Sequence, residues 1–579
     1  MQLTTDYYVA DIPHEEYPRP QFRRENYLCL NGTWSFGKCP QKQEDYEPEC
    51  KILVPFSPET CLSGVVPGFT LGKEEKLVYE RTVNLSKESL QGCTMLHFGA
   101  VDQTCQVYWN GVLVGGHRGG FTPFSVDISR VAKLGDNLLR VECIDLTEGS
   151  HGARGKQSSK RGGIWYTAQS GIWQSVWLES MPEKHIRDCT VKTDAATKTV
   201  RIKADCDEAV TLTVYDNGAL IYEEKSVDGV FVFTRDFTLW SPETPKLYDF
   251  VLQAESGDRV QSYFGVRSLS IGKDQTGKAR LLLNGKPYFM HGLLDQGYFS
   301  DGLLTYPNEK CIKDELMTLK EMGFNTLRKH IKVEPLRWYY HCDKLGILVW
   351  QDFVNGGGEY INSHVTVFPF LGVKHKDSDY KYFSRQNDGG REEFIQGMEE
   401  TVSALKNSPS VVLWTVFNEG WGQFDSAKVT EQLQELDDTR LIDSVSGWHD
   451  QGVGKTTLKS LHTYFTPLRV PKDERPVVLS EFGGYSLPVK GHQFSKKIFG
   501  YKVYKKEEKL HAALEKLYLK KVKPLIAKGL CACIYTQVSD VEEEINGLLT
   551  YDRKVAKIPA EVLSEINKQI YEESKKIRY

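Results

Sequence analysis

The sequence predicts three domains: a β jelly roll over residues 1–182, an immunoglobulin-like β-sandwich over 183–270 and a C-terminal (β/α)8 TIM barrel over 271–579. Three observations carry this reading. A chain of 579 residues is too long for one hydrophobic core. Its first half is built of short strands punctuated by turn signals. From about residue 271, eight strand candidates alternate with helical stretches, as in a closed parallel barrel.

In the first region, Thr94-Met95-Leu96-His97-Phe98 and Gln106-Val107-Tyr108-Trp109 read as strands. Asn110-Gly111 is a hairpin signal before Val112-Leu113-Val114, because both turn residues tolerate positive φ. Leu138 to Cys143 continues the series, with Gly119-Gly120 and Asp136-Asn137 as punctuation. Gly149 to Gly163 is a basic, glycine-rich loop carrying Arg154, Lys156, Lys160 and Arg161. It is not a strand-GxGxxG-helix unit, which excludes a dinucleotide fingerprint. Trp165, Trp173 and Trp177 follow it and are expected in core or interdomain packing.

The second region pairs Thr190–Thr193 with Thr199–Ile202 and alternates through Thr211–Tyr215 to a turn at Asp216-Asn217-Gly218. Phe231–Phe233 and Phe250–Leu252 add strands. Trp240 to Tyr248 is a proline-bounded link, since proline cannot serve a central ladder.

The barrel strands are expected at Tyr288–Met290, Phe324–Arg328, Ile347–Trp350, Val411–Phe417, Leu441–Val445, Leu458–His462, Val477–Ser480 and Cys531–Tyr535. Helices are expected at Lys310–Met322, where Ile312, Leu316 and Leu319 share a face, at Leu336–Leu345 and at Glu392–Leu405. Gly323 and Gly346 stop the first two. Residues 484–528 are lysine-rich and read as an insertion with a solvated charged face, followed by a helix over Glu507–Ala527.

Composition excludes several functions. A formal net charge of −4 lacks the basic excess of a nucleic-acid binder. No window approaches the ~20 apolar residues of a membrane span. Met1 to Asp6 has neither a basic nor an apolar leader region, so a cytoplasmic chain is expected. The 13 cysteines are scattered without CxxC pairs, as free thiols in a reducing compartment are. Histidines are not clustered at metal-ligand spacing, so neither metal nor cofactor is expected. A homo-oligomer is left open, and a carbohydrate substrate is the partner that the pair of glutamates described next implies.

The chemistry sits at two strand ends. Val411 to Phe417 is apolar without alternation, a strand buried on both faces, and it ends in Asn418-Glu419. Val477 to Ser480 ends in the same way at Glu481. By strand count the two glutamates close the fourth and seventh strands, at the end of a barrel where active sites are built. Two carboxylates flanking one bond, one protonated and one ionised, are what glycoside hydrolysis requires. Asn418 stands beside the expected acid and can donate to a sugar hydroxyl.

Asn418-Glu419-Gly420-Trp421-Gly422 and Ser480-Glu481-Phe482-Gly483-Gly484 resemble the acid/base and nucleophile motifs of glycoside hydrolase family 2. Leu30 to Phe36 and Ser170 to Glu179 resemble the opening and end of that family's sugar-binding jelly roll. Trp240 to Tyr248 and Phe264-Gly265-Val266-Arg267 resemble its immunoglobulin-like domain, so the likeness runs over nearly the whole chain in one order. The resemblance implies a retaining double displacement, with Glu481 as nucleophile and Glu419 as acid, then base. It also implies that Arg328 orients the nucleophile and that Tyr464 is hydrogen-bonded to it. His462 and Trp448 are expected at strand ends facing the same mouth as substrate contacts, and Asp295 and Asp352 as ligands of sugar hydroxyls.

The sequence departs from the family in three places. Leu293 to Tyr298 stands where members often carry a histidine-rich loop. The third strand ends in Trp350-Gln351-Asp352-Phe353, where many have an aspartate-glutamate pair. No Asn-x-Lys element of the glucuronidases follows Glu481: Asn546 precedes Gly547-Leu548, and Asn567 precedes Lys568-Gln569. That lowers the expectation of uronic acid recognition, unless a basic loop elsewhere replaces it. The expectation is therefore an exo-acting retaining β-glycosidase, β-galactosidase in the first instance. β-Glucuronidase, β-mannosidase and arabinosidase-type activities are the alternatives. A non-catalytic carbohydrate-binding protein is the rival class, against which both glutamates argue.

Overall fold

The structure, a computed structural model, describes residues 3–454 and 457–579. Met1 and Gln2, the first residues of the start read above for a leader, lie outside them. No helix among the described residues is long and apolar enough to cross a membrane.

The N-terminal domain stacks two antiparallel sheets. Tyr27–Cys29, Cys93–Phe98, Phe124–Asp127 and Val176–Met181 form one, and a six-stranded sheet around Gly32–Pro40, Glu75–Leu85 and Gly135–Ile144 forms the other. Trp34, Tyr79, Phe98, Trp109 and Leu178 meet between them. The hairpin between Thr104–Trp109 and Val112–Arg118 turns on Asn110 and Gly111, at φ 51° and 80°. Both lie in the left-handed region that a two-residue loop of the favoured twist needs.

Seven strands make the second sandwich, in a three-stranded and a four-stranded sheet, with Val200, Leu212, Phe231, Phe250 and Phe264 inside. Its end is latched to the barrel. Arg267 is buried and donates to three barrel carbonyls: Pro409 at 2.9 Å, Thr439 at 3.2 Å and Val411 at 2.8 Å. Burial, helped by the nearby Arg440 charge, draws its pKa down to about 9. Trp240 Nε1 adds a 2.9 Å bond to the Asp343 carbonyl.

Eight parallel strands form the barrel: β1 (Met290–Asp295), β2 (Thr326–Lys329), β3 (Leu348–Asp352), β4 (Val411–Asn418), β5 (Leu441–Ser446), β6 (Lys459–Thr463), β7 (Val477–Gly483) and β8 (Leu530–Thr536). They run in the order β5-β4-β3-β2-β1-β8-β7-β6. Among the described residues a parallel backbone bridge, with Leu458 donating to the Ile442 carbonyl, joins β5 towards β6. Met290, Leu294, Leu348, Trp350, Val478 and Ile534 fill the interior. A small antiparallel sheet led by Leu269–Lys273 and Ala279–Leu283 packs Leu281 against this interior.

The helical layer is uneven. Helices Glu309–Glu321 (α1) and Leu336–Leu345 (α2) stand where the 3.6-residue periodicity put them. The third starts earlier than expected, at Asp388, because the Asn387 side chain caps it by accepting from Gly390 N at 2.8 Å. Among the described residues no helix follows β5 or β6. A cleft of about 600 Å³, lined by Tyr464, Phe465, Tyr501, Lys520 and Lys521 among others, opens on that flank.

Replacing Arg267 with alanine should remove its hydrogen bonds to three barrel carbonyls, of which Val411 keeps Arg440 as a donor, and cost about 3 kcal/mol. Urea unfolding of Arg267→Ala is expected to show a clearly lower midpoint; an unchanged midpoint would remove the latch.

Candidate active site

The two strand-ending glutamates come together. Glu481 lies within β7 and Glu419 one residue beyond β4. One carboxylate oxygen of each, and a ring nitrogen of His462, all lie within 4.8 Å of one another. That matches the ~5–5.5 Å spacing of retaining pairs better than the ~6.5–9.5 Å of inverting ones.

Why the chain turns here is local. Beyond β4 the backbone enters the left-handed region at Glu419 (φ 51°) and stays there at Gly420 (φ 75°). A non-glycine residue at such a φ is strained by roughly 1–2 kcal/mol and persists only where neighbours hold it. Glu419 N donates to the Ser446 carbonyl on β5 at 3.0 Å, and Trp421 N closes a turn onto the Asn418 carbonyl at 2.9 Å. Gly447 is needed too: at φ 85°, a Cβ there would stand 2.6 Å from His462 Nδ1.

Arg328 organises the Glu481 side. Its side chain is wholly buried on β2 and donates to Asp352 twice (3.0 and 2.9 Å), to Glu481 Oε1 (3.1 Å), to Asn418 Oδ1 (2.7 Å) and to the Ser480 carbonyl (3.2 Å). Burial works against the guanidinium charge, but Asp352 and Glu481 outweigh it and hold its pKa above the usual arginine range. Tyr464 donates to Glu481 Oε2 at 2.5 Å, and Tyr501 stacks on the Tyr464 ring at 3.8 Å. Both oxygens of Glu481 are thus held by hydrogen-bond donors.

The other glutamate has a different environment. His462 Nδ1 shares a 2.6 Å hydrogen bond with Glu419 Oε1, and its Nε2 meets the Ser446 hydroxyl at 3.0 Å. Ser446 continues to Ser480 at 3.0 Å, and Ser460 to Ser480 at 2.5 Å, so hydroxyls on β5, β6 and β7 brace the imidazole from below. Glu419, His462 and Glu481 are also the one group of metal-ligating type that lies close together among the described residues. The Arg328 charge beside Glu481 competes with any cation there.

Several expected residues take other places. Asp295 is not at the mouth. In the β1–β2–β3 register, Asp295, Lys329 and Gln351 form one row that faces the helices, while Leu294, Arg328 and Trp350 form the inward row. Asp295 pairs with Lys329 at 2.6 Å, and the Lys329 ammonium lies 4.2 Å over Trp338 of α2. Its assignment to sugar hydroxyls is corrected accordingly. Asp352 does face inward, but both its oxygens are held by Arg328 and it is 1% exposed, so it supports the arginine instead of meeting a sugar. The His462 side chain, also expected on substrate, is fully buried between the two glutamates and acts through them. Trp448 is half-buried, with its ring 5.5 Å from His462.

Other residues enter that the motifs did not single out. Among the described residues Trp421 Nε1 is buried without a hydrogen-bond partner, while the Asn418 amide and the His330 ring lie against one another. Burial, then the Arg328 and Lys156 charges, hold His330 well below its usual pKa and therefore neutral. Its Nδ1 sits 3.0 Å from Gln296 Oε1, and its Nε2 is 3.6 Å from Glu481 Oε1. Lys156 reaches in from the first domain. Trp165, expected in packing, forms a wall 5.0 Å from Trp421, whereas Trp173 and Trp177 are buried in packing. Tyr501 comes from the lysine-rich insertion read as a solvated face.

This chain belongs to glycosyl hydrolases family 2. The family's TIM barrel domain matches residues 275–570, its sugar binding domain 65–182 and the domain between them 184–267. Among curated relatives, a putative β-glucuronidase of Formosa agariphila is 28% identical over 391 residues, covering 64% of this chain and 34% of that protein. A β-galactosidase of Thermoanaerobacter pseudethanolicus is 23% identical over 482 residues, covering 77% and 58%. The chain thus spans about a third and somewhat over half of these relatives' lengths. In fold it is similar to the Ruminococcus gnavus β-glucuronidase solved with uronic isofagomine, at a TM-score of 0.75 and 19% identity over 96% of this chain and 99% of that one.

Arg328→Met should leave two buried carboxylates without their partner and lower stability by about 3–5 kcal/mol. Adding Asp352→Asn should recover part of that, a coupling of at least about 1 kcal/mol in a double-mutant cycle read by thermal unfolding. Strict additivity would mean that Arg328 and Asp352 do not support one another.

Proposed function

We propose that the protein is a retaining exo-β-glycosidase that removes terminal non-reducing sugars from β-glycosides. The observation that carries this reading is the pair Glu419 and Glu481, close enough to work on one bond and held in unlike environments. Arg328 and Tyr464 fix the Glu481 oxygens for attack on the anomeric carbon. Glu419 lies across from it and gives its proton to the leaving glycosidic oxygen. The products of this step are the released aglycone and a glycosyl ester on Glu481. Glu419, now ionised, takes a proton from water as that water attacks the ester, which frees the sugar with its β configuration retained.

Asn418 Nδ2, beside the neutral His330 ring, suits a sugar hydroxyl as donor. Trp421 and Trp165 offer flat faces to a ring. The side chains of Glu419 and Glu481 are only 12% and 5% exposed. A site so enclosed favours a chain end over the middle of a polymer, which supports the exo reading. For the sugar itself, galactoside and glucuronide names both occur among the relatives, and a panel of aryl β-glycosides decides between them.

Glu481→Gln is expected to lose at least about a thousandfold in turnover while keeping the wild-type melting temperature. Glu419→Gln should slow release of sugar from the ester more than cleavage of an aryl glycoside with a good leaving group. Proton NMR of a wild-type digest should show the β-anomer first. Undiminished hydrolysis by Glu481→Gln, or first appearance of the α-anomer, would overturn the proposal.

A further inference from the structure

The basic loop over residues 149–163 carries four cations that the double displacement does not use. Three have other roles. Arg154 donates to the carbonyls of Gly357 and Gly358, with its guanidinium 4.3 Å over Tyr360. Arg161 pairs with Glu543 at 2.6 Å, and Lys160 is exposed.

Lys156 is different. It is 5% exposed, and its ammonium lies 4.9 Å over Trp421, 5.4 Å over Tyr166 and 5.5 Å over Trp165. Among the described residues it makes neither a hydrogen bond nor an ion pair. Burial lowers its pKa, and three carboxylates act against that: Glu544, then Glu419 and Glu481. Glu544, the nearest in effect, is itself held by Tyr166 at one oxygen (2.5 Å) and by Asn546 at the other (2.9 Å). The ammonium therefore stands beyond ion-pair reach of the two reacting carboxylates, yet near enough to feel both.

An enclosed cation walled by aromatic rings is costly without a counter-charge. Aromatic faces offset part of that cost. A neutral hydroxyl would leave the ammonium without a direct ion-pair partner, whereas a carboxylate on the bound sugar would pair with it. The Asn-x-Lys element is absent after Glu481, so the barrel does not provide this cation in that form. The loop from the sandwich does.

We infer that Lys156 is a specificity-determining residue and that the group it takes is the carboxylate of a terminal uronic acid. This rests on the hydrolase reading above and adds to it the class of sugar. Lys156 selects the substrate from outside the catalytic domain, and the ring that places a carboxylate against it has its anomeric carbon between Glu419 and Glu481.

The test compares matched aryl β-glycosides, glucuronide with glucoside and galacturonide with galactoside, on the full chain. The wild type should prefer the acidic member of at least one pair. Lys156→Met should collapse that preference, the ratio of the two kcat/KM values, by about 100-fold, with Lys156→Arg retaining part of it. The melting temperature of each variant separates lost selectivity from lost fold. Two results would overturn the assignment while leaving the hydrolase standing: a wild type that prefers the neutral member of both pairs, or a Lys156→Met ratio equal to that of the wild type. Failure to cleave any of the four would remove the hydrolase reading and this assignment with it.

Discussion

The guanidinium of Arg328 is the constraint on which the mouth of this barrel depends. It is a fixed positive charge with no access to water, so every donor must find an acceptor inside the protein. The acceptors come from three other strands: Asp352 from β3, Asn418 from β4, and Ser480 with Glu481 from β7. One planar group thus sets where the Glu481 carboxylate lies and which way the Asn418 amide points. With Asn418 Oδ1 turned to the arginine, its Nδ2 is left on the side of the His330 ring. The polar geometry of the site follows from satisfying one buried cation.

The sandwich domains matter to that geometry more than their distance in sequence suggests. Arg267 fastens the second domain to the carbonyls at the start of β4 and just before β5. The first domain extends its basic loop over the mouth, where Tyr166 meets Glu544 and Trp165 faces Trp421. A barrel alone would lose one aromatic wall and the Lys156 ammonium. The protein is best regarded as one site assembled from two domains, with the third holding the barrel at its base.

How much of this was legible in the sequence depended on whether the signal was local. The unalternating runs ending in Glu419 and Glu481 reported burial on both faces and a strand end, and both hold in the structure. Asp295 was misplaced by one step of strand parity. Its neighbour Leu294 faces the interior, so Asp295 must face the helices, and the alternation along Leu293-Leu294-Asp295 carried that information. Asp352 and His462 were placed near the right carboxylates but as substrate contacts, because residue type alone does not reveal which hydrogen bonds are already made. Lys156 and Tyr501 reach the site only through tertiary packing. A basic loop and a lysine-rich insertion look like solvated surface until another domain closes over them.

The unequal helical layer has a consequence for how such a site can change. After β6 the chain runs without a helix, so Tyr464, which holds Glu481, is backed by the Tyr501 ring and not by a rigid outer element. Tyr501 belongs to the insertion that follows β7. Insertions of this kind vary in length and sequence more freely than the elements they join. The support of the nucleophile is therefore coupled to a part of the chain that can be rebuilt while the barrel's hydrogen-bond ladder stays intact. This flank is where the family's shared chemistry is most open to retuning by descent.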